Sequence, residues 1–358
     1  MSEHVYIIAE AGVNHNGDLE RALALVDAAS EAGADAVKFQ TFDPAALVTE
    51  NAPQADYQIR NEGDSGSQLA MLQRLVLAPG DHHTLMARCG EHGIDFMSSP
   101  FDHASADFLI RDLNLPRIKL GSGELTNAPL LLQIANSGRE LILSTGMADL
   151  NEIREALGVL AFGYLNPDPP SGRADFARAS EDPLGRELLR SHVSLLHCTT
   201  EYPCPLEQVN LRAMDTLGDT FGLPVGYSDH TLGIDVAVMA AARGATILEK
   251  HFTLDRSLPG PDHVASLEPD ELTDLVNAVR RVEVALGSPA KAMSPVEQGN
   301  RAVARKSLVA LQPIARGETF NTANLGSKRP STGRSPMDFW DLLGTKAARD
   351  YAADEVIE

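Results

Sequence analysis

Two histidines stand where the sequence could hold a metal ion. His230 and His251 each follow a short apolar run that predicts a β-strand. Neighbouring strands lie about 4.8 Å apart, so histidines at the ends of adjacent strands can approach one ion. Imidazole nitrogen suits Mn, Fe, Co or Zn. Such histidines can instead only hydrogen-bond locally, but Asp229 and Asp262 favour the metal, as further ligands or as partners of the ligands. The pair predicts a divalent metal site in an enzyme.

Three lysines, Lys38, Lys119 and Lys250, also end apolar runs. A buried ammonium group is costly unless it is paired, so each lysine predicts either a bound anion or an internal ion pair with a carboxylate. The turn Ser122–Glu124 adds a hydroxyl and backbone amides of the kind that cradle phosphate. Because the chain has a net charge of -20, an anionic substrate needs local positive charge. The lysines together predict such a site.

The composition excludes several classes of protein. A net charge of -20 argues against nucleic acid, which needs a basic surface, and against anionic membranes. No apolar stretch approaches the roughly 18 residues of a membrane span, and the first residues lack the basic start of a signal peptide. The 3 cysteines form no CxxC pair. We therefore expect a soluble, cytoplasmic protein with reduced thiols.

Short runs rich in Val, Ile and Leu must position these side chains. They alternate with segments whose apolar residues recur three and four apart, the pattern of helices that cover a parallel sheet. The runs are Val5–Ala9, Ala36–Phe39, Ile94–Met97, Arg117–Leu120, Glu140–Leu143, Val193–Leu196, Pro224–Tyr227 and Thr246–Leu248. Reactive residues follow nearly every run, and all strand C-termini of a TIM barrel open on one face. This placement favours an α/β TIM (β/α)8 barrel over a doubly wound open sheet.

Other segments interrupt or follow the barrel pattern. Thr41–Ser67 is a long polar excursion that predicts a lid or substrate loop, and Asn166–Pro183 predicts a surface insertion without a catalytic role. The barrel domain is expected to span residues 1–286. The Gly, Ser and Pro residues of 287–304 predict a linker, and residues 305–358 predict a small β-rich domain.

Several motifs follow one another along nearly the whole chain, in an order and spacing that are highly specific together. They are Ile-Ala-Glu-Ala-Gly-Val-Asn-His-Asn-Gly at 8–17, Val-Lys-Phe-Gln-Thr at 37–41, Lys-Leu-Gly-Ser-Gly-Glu at 119–124, Leu-Ser-Thr-Gly-Met at 143–147, His-Cys-Thr-Thr-Glu-Tyr-Pro at 197–203, Tyr-Ser-Asp-His-Thr at 227–231, Glu-Lys-His-Phe-Thr at 249–253 and Pro-Gly-Pro-Asp-His at 259–263. In these motifs the chain resembles the sialic acid synthases, which condense phosphoenolpyruvate with an N-acylated hexosamine. The tail, with Lys-Arg-Pro at 328–330, resembles the antifreeze-like (SAF) domain that closes those proteins.

The resemblance implies a role for each matching residue. Glu10 and Glu124 would be catalytic, while His230 and His251 would hold a divalent metal, typically Mn²⁺, with Mg²⁺ or Co²⁺ as alternatives. The residues expected to bind phosphoenolpyruvate are Lys38, Ser99, Lys119, Ser122, Ser144, Thr200 and Ser228. Those expected to bind the sugar are Gln40, Tyr202, Asp262 and Arg329. At Thr200 the chain departs from relatives that carry asparagine there.

The implied reaction forms a carbon–carbon bond. The sugar reacts as its open-chain aldehyde, whose carbonyl group a metal can polarise, and the enol carbon of phosphoenolpyruvate attacks it. Glu124 or Glu10 stabilises the positive charge at the former C2 or activates the water that adds there, and phosphate leaves by C–O cleavage. The acceptor is N-acetylmannosamine, giving N-acetylneuraminate, or 2,4-diacetamido-2,4,6-trideoxymannose, giving N,N'-diacetyllegionaminate. The altrose isomer, leading to pseudaminate, is the alternative.

The resemblance also implies a domain-swapped homodimer, in which the SAF domain of one subunit covers the barrel of its partner and donates Arg329 to the sugar site. Within its own domain, Trp340 is expected to pack in the core. Other functions stay open: a 3-deoxy-heptulosonate or octulosonate synthase, which would not need the antifreeze-like tail; a Schiff-base sialic acid aldolase with Lys119 as nucleophile; and a non-catalytic sugar-binding protein.

Overall fold

The computed structural model of the protein describes residues 4–62 and 66–358. The chain divides into two compact units, the first ending at Gly287 and the second spanning Ser288–Glu358. This division lies at the start of the segment that the sequence predicts to be a linker, and the helix Glu297–Ala304 lies within that segment. Within the described ranges, no helix combines the length and the apolar character needed to cross a membrane.

The first unit contains a sheet of 8 parallel strands that closes into a barrel. The strands are β1 (Tyr6–Gly12), β2 (Ala36–Thr41), β3 (Asp95–Pro100), β4 (Arg117–Leu120), β5 (Glu140–Ser144), β6 (Val193–His197), β7 (Val225–Asp229) and β8 (Ile247–His251). Strand β1 pairs with both β2 and β8, and β3 lies beside β4. The predicted TIM barrel is confirmed. Most strands extend beyond the apolar runs because polar residues at their C-terminal ends, such as Glu10 and Gln40, also pair in the ladder.

Helices surround the sheet, most of them on its outer face. In the described part of the first unit they are α1 (Leu19–Glu31), α2 (Pro44–Leu47), α3 (Asp56–Glu62), α4 (Gln68–Gln73), α5 (Pro79–His92), α6 (His103–Asp107), α7 (Ala128–Asn136), α8 (Leu150–Leu165), α9 (Arg173–Glu181), α10 (Pro183–His192), α11 (Ala213–Phe221), α12 (Asp235–Ala242) and α13 (Pro269–Leu286). Local signals set their ends. Asp18 caps α1 by accepting a hydrogen bond from the Arg21 amide, and Gly93 ends α5 in the left-handed region with a φ of 69°.

A small apolar cluster, here called the floor, fills the barrel on the N-terminal side of the strand ends. Its members are Ile8, Ala36, Met97, Ile142, Leu196 and Ile247. Side chains two positions apart on a strand point to the same face, so the residues two positions later lie above the floor. On five strands these residues are Glu10, Lys38, Ser99, Ser144 and Glu249. On β7 the chain has Gly226, because a Cβ there would lie 2.3 Å from the carbonyl oxygen of Ile247.

The two predicted irregular segments both contain helices. The excursion Thr41–Ser67 includes α2 and α3, and α4 follows it directly. The insertion Asn166–Pro183 includes α9, which packs on α8 through Phe176 and Phe162, with ring centroids 5.6 Å apart. The insertion is therefore anchored to the barrel's outer helices by aromatic packing.

The second unit is built around an antiparallel pair, β9 (Ser307–Ala310) with β10 (Leu325–Lys328), together with α14 (Glu297–Ala304) and α15 (Phe339–Leu342). Its buried core consists of Leu308, Ala310, Ile314, Phe320, Leu325, Leu342, Ala347, Tyr351 and Ile357. The prediction for Trp340 is wrong, since its side chain is 75% exposed. In α15 the side that faces this core is occupied by Leu342, and a residue two positions earlier points away from it.

Candidate active site

A cavity of about 420 Å³ lies at the mouth of the barrel, where the C-terminal ends of the strands meet. Every residue of the first unit to which the resemblance assigns a role lines it. They are Glu10, Lys38, Gln40, Ser99, Lys119, Ser122, Glu124, Ser144, Thr200, Tyr202, Ser228, His230, His251 and Asp262. Arg329 lies in the second unit, where its side chain is exposed. The barrel brings the first set together because its strand ends open on one face.

The cavity contains a buried cluster of two lysines and two glutamates. Lys38 Nζ lies 2.6 Å from Glu10 Oε2 and 3.5 Å from Glu249 Oε2, and it donates a hydrogen bond of 3.2 Å to Ser99 Oγ. Lys119 Nζ lies 3.3 Å from Glu249 Oε1. The charged side chains are at most 5% exposed. The sequence leaves open whether these lysines form internal ion pairs or bind an anion. Their ammonium groups form internal ion pairs, and they also line a cavity that could hold an anion.

Burial and charge set different pKa values within this cluster. Burial raises the pKa of Glu10, against the opposing effect of Lys38, and burial lowers the pKa of Lys119. Burial also works to raise the pKa of Glu249, but Lys119 and Lys38 outweigh it and hold that pKa below its ordinary value. Glu10 is thus the carboxyl group of the cluster that protonates more readily, and Glu249 stays ionised.

Alternation along β8 decides which of its polar residues reach the cavity. Glu249 and His251 line it, whereas Lys250 lies between them and points to the opposite face. There Lys250 Nζ lies 2.8 Å from Asp229 Oδ2, and neither side chain is exposed. The expectation that Lys250 contributes to the anion site is therefore wrong. Glu249 is absent from the predicted set, although its spacing of two from His251 is the signal that could have identified it.

Hydroxyl groups line the cavity beside the lysines. Ser228 Oγ donates a hydrogen bond of 2.8 Å to Glu249 Oε1. The oxygens Ser122 Oγ and Thr200 Oγ1 lie 3.1 Å apart. Gly146 makes room for this pair, because a Cβ at that position would lie 2.5 Å from Thr200 Oγ1. Ammonium and hydroxyl donors in such an arrangement can bind a phosphate or carboxylate group.

His230 and His251 are neutral imidazoles with ring centroids 5.6 Å apart. Burial lowers the pKa of His230 to about 4, and burial together with His230 lowers the pKa of His251. The Nδ1–H of His230 donates to Thr199 O at 2.7 Å, which leaves its Nε2 with a lone pair. The Nδ1 of His251 is buried without a hydrogen-bond partner and lies 3.8 Å from Asp262 Oδ2.

Unprotonated ring nitrogens of this kind suit a divalent metal. Within residues 4–62 and 66–358, no group of three or more His, Cys, Asp or Glu side chains is arranged to hold an ion. An ion held by His230 and His251 would therefore take its remaining ligands from water or substrate. This is the chemistry of an open site rather than of a structural metal centre.

The excursion after β2 reaches the cavity, as the sequence predicts for a substrate loop. Tyr57, in α3, lines the cavity and packs on Tyr202, with ring centroids 4.9 Å apart. Tyr202 in turn lies over His230, at 4.1 Å between centroids. An aromatic stack thus connects the excursion to the pair of histidines.

Two predicted polar residues are fixed by amide hydrogen bonds. Gln40 Nε2 donates to Glu10 Oε1 at 3.2 Å. Glu124 lies at the end of a short 3₁₀ turn, and its Oε2 accepts a hydrogen bond of 2.7 Å from Asn127 Nδ2. The carboxylates of Glu10 and Glu124 are therefore each held in a defined orientation in the cavity.

A barrel mouth that combines buried lysine–glutamate pairs with two unprotonated histidines is the candidate active site of a (β/α)8-barrel enzyme. The chain belongs to the NeuB family, whose model matches residues 25–291, and residues 305–358 match the SAF domain. The resemblance to the sialic acid synthases is confirmed.

Relatives match nearly the whole chain. The N,N'-diacetyllegionaminic acid synthase of Campylobacter jejuni is 45% identical, over 98% of this chain and 98% of the relative. The enzyme of the same name from Legionella pneumophila is 44% identical, over 97% of this chain and 92% of the relative. The crystal structure of N-acetylneuraminic acid (sialic acid) synthetase from Leptospira borgpetersenii, in complex with citrate, superposes with a TM-score of 0.68 at 32% identity, covering 83% of this chain and 90% of that chain.

Proposed function

We propose that this enzyme condenses phosphoenolpyruvate with 2,4-diacetamido-2,4,6-trideoxymannose to give N,N'-diacetyllegionaminate and phosphate. The relatives at 45% and 44% identity carry the name of that activity. The observation that carries the proposal is the buried cluster of Lys38, Glu249 and Lys119 beside two neutral histidines, since it offers an anion site next to a site for a carbonyl group. N-acetylmannosamine is the second acceptor, and the altrose isomer is the third.

Phosphoenolpyruvate would bring two acidic groups to this cluster. Lys38 and Lys119 supply the positive charge, and the low local dielectric makes their attraction stronger than in water. The hydroxyl donors are Ser99, Ser122, Ser144, Thr200 and Ser228. The cluster has equal numbers of lysines and glutamates, so a bound anion makes it net negative. That charge further favours the protonated form of Glu10.

His230 and His251 would hold the divalent metal, typically Mn²⁺, with Mg²⁺ or Co²⁺ as alternatives. The depressed pKa values of both rings and the unpartnered Nδ1 of His251 fit such an ion. When bound, the metal supplies Lewis acidity to the acceptor's carbonyl group. Asp262, whose Oδ2 is 3.8 Å from His251 Nδ1, would place a carboxylate charge beside that imidazole without hydrogen-bonding to it.

Glu10 takes the acid/base role in this proposal. The enol carbon of phosphoenolpyruvate bonds to the aldehyde carbon, and the carbonyl oxygen takes the proton of the Glu10 carboxyl group, whose pKa burial raises. Water then adds to the electron-deficient former C2 and gives its proton to the Glu10 carboxylate. The resulting tetrahedral centre expels phosphate by C–O cleavage, passes its remaining hydroxyl proton to the departing phosphate and becomes the keto group. Glu124 is the second carboxylate, on the acceptor side.

We assign the SAF domain to the sugar site of a partner subunit, in a domain-swapped homodimer. Met337 and Trp340 are 83% and 75% exposed, and large exposed apolar side chains are typical of surfaces that another chain covers. Arg329, exposed in the same unit, would reach a sugar that contacts Gln40 and Tyr202 of the partner. A fully active monomer in dilute solution would contradict the swap.

The test is phosphate release by the full-length protein, with phosphoenolpyruvate and each of the three sugars. We expect release that requires both substrates and Mn²⁺ and is fastest with 2,4-diacetamido-2,4,6-trideoxymannose. No release with any of the sugars would overturn the proposal. The lowered pKa of Lys119 is the feature that suits a Schiff-base aldolase, so borohydride trapping with pyruvate is the matched control. An adduct on Lys119 would favour the aldolase.

A further inference from the structure

The cavity has an apolar side that the proposed mechanism does not use. Its residues form a cluster separate from the barrel core, here called the apolar wall. The wall consists of Val13, Phe42, Leu47, Val48, Met71, Leu72, Leu75 and Phe101, all of which line the cavity. Most come from residues 42–75, which comprise the excursion and α4. Met71 is 2% exposed, so this is a packed surface and not a loose rim.

Few polar groups interrupt the apolar wall. Gln58 and Gln68, from the same stretch, also line the cavity. Gln58 Oε1 already accepts the Ala55 amide at 2.9 Å, which commits it to the start of α3. A hydroxyl group placed against Met71 and Leu72 would therefore lose its hydrogen bonds to water, and the amide groups of Gln58 and Gln68 are the nearby polar groups of this stretch that could replace them.

The chemistry fixes which end of the acceptor can reach the wall. The aldehyde carbon must lie beside the enol carbon of phosphoenolpyruvate, which Lys38 and Lys119 hold at the strand ends. C6 is the carbon of the sugar chain farthest from the aldehyde. It therefore extends away from the lysines, and among the surfaces that line the cavity the apolar wall is the one that suits a methyl group.

We propose that the apolar wall determines acceptor specificity by binding the C6 methyl group of a 6-deoxy sugar and disfavouring a C6 hydroxyl group. This inference rests on the proposed function, because it concerns the acceptor of that reaction. A methyl group against Met71 and Leu72 is removed from water at a gain in free energy. An apolar pocket discriminates against an added hydroxyl by about 100-fold in kcat/KM.

Helix α3 holds the excursion in place over the mouth of the barrel. Arg60 forms an ion pair with Glu201 in the loop after β6. Asn61 Nδ2 donates a hydrogen bond of 2.7 Å to Pro261 O in the loop after β8. The loop after β6 carries Tyr202 to the cavity, and the loop after β8 carries Asp262. The excursion that carries part of the wall is thus tied to the barrel through α3 before any sugar binds, which lowers the entropy lost on binding.

The test compares kcat/KM for two acceptors that differ only at C6, the 6-deoxy sugar and its 6-hydroxy counterpart, with phosphoenolpyruvate saturating. We expect the wild type to prefer the 6-deoxy sugar by about 100-fold. Met71→Gln places an amide in the wall and should reduce that preference at least about tenfold, whereas Met71→Leu should keep it. The KM for phosphoenolpyruvate should stay unchanged in both variants. A general structural defect would change that KM as well, so this measurement separates the two explanations.

Leu47→Gln is the second variant, because Leu47 is only half-buried and its replacement leaves the packed part of the cluster intact. Equal kcat/KM values for the two acceptors in the wild type would overturn the inference and leave the proposed function standing. So would an unchanged preference in both glutamine variants. A wild-type protein that releases no phosphate with either acceptor or with N-acetylmannosamine would instead overturn the proposed function itself.

Discussion

The two sides of the barrel-mouth cavity are built from different kinds of structure. The polar side consists of strand ends, and Glu10 is an example, since it pairs in register with Lys38 on β2 and with His251 on β8. The apolar wall consists mainly of short helices and loops, held by packing and by the side-chain contacts of α3. The groups proposed to take part in the reaction lie on the sheet or shortly after the ends of its strands. The groups proposed to select the acceptor lie on a segment whose sequence can change without disturbing that sheet.

The largest loss is expected on the polar side, from His251→Ala. Because the variant removes one of two imidazoles that would hold the metal, it should abolish both Mn²⁺ binding, measured by calorimetry, and phosphate release. His83→Ala, at an exposed position on α5, is the matched control and should change neither. Wild-type turnover by metal-stripped His251→Ala would remove the metal from the mechanism.

Glu10→Gln should lower kcat by about 10²–10⁴-fold, the range for loss of a general acid/base. The amide keeps the shape of the side chain beside Gln40 and Lys38 but cannot exchange a proton. Steady-state phosphate release measures the effect, with Glu155→Gln, 67% exposed on α8, as a control that retains activity. If kcat is unaffected, the acid/base role belongs to Glu124.

Glu249→Gln should act mainly on stability. It leaves Lys38 and Lys119 without their shared carboxylate, and breaking a buried ion pair destabilises by about 3–5 kcal/mol. Because the folded protein holds the pKa of Glu249 below its ordinary value of 4.5, its stabilising effect is complete above that value and is lost as pH falls through the folded pKa. The difference between wild type and variant in urea unfolding should therefore shrink in acid. A difference that is constant with pH would contradict the ion-pair explanation.

The smallest effect is expected from Arg60→Ala, on the apolar side. Arg60 and Glu201 are 56% and 43% exposed, so their ion pair contributes at most about 1 kcal/mol to folding. We expect a higher KM for the acceptor, an unchanged KM for phosphoenolpyruvate and almost no change in the urea midpoint. Arg173→Ala, which breaks a comparable surface pair with Glu155, should leave both KM values alone. A rise in both KM values would show that α3 affects the binding of phosphoenolpyruvate as well as that of the acceptor.

The polar side could be predicted from the sequence because its residues follow a strand period. Glu10, Lys38, Ser99 and Ser144 each lie two positions after an apolar floor residue, a spacing that can be read from the sequence. The wrong role for Lys250 and the omission of Glu249 share one cause. That cause is the alternation of side chains along β8, which places Glu249 on the same face as His251 and Lys250 on the opposite face.

The apolar side could not be predicted, for a different physical reason. Met71 and Leu72 lie in the six-residue helix α4, where the spacing of apolar residues is the same whether they fill a core or line a cavity. Trp340 poses the same difficulty, since α15 has only 4 residues and too little periodicity to identify its buried face. Only the packing of distant segments decides these cases.

The floor of the barrel sets an order of events for the proposed reaction. Its members are at most 8% exposed, so in the described barrel the substrates and products share the mouth above Lys38 and Lys119. An anion bound to these lysines lies behind any acceptor that reaches Tyr202. Phosphoenolpyruvate must therefore arrive before the sugar, and phosphate, formed in its place, departs after the sugar product. Phosphate should then inhibit competitively toward phosphoenolpyruvate, as expected for an ordered mechanism in which the first substrate and the last product bind the same form of the enzyme.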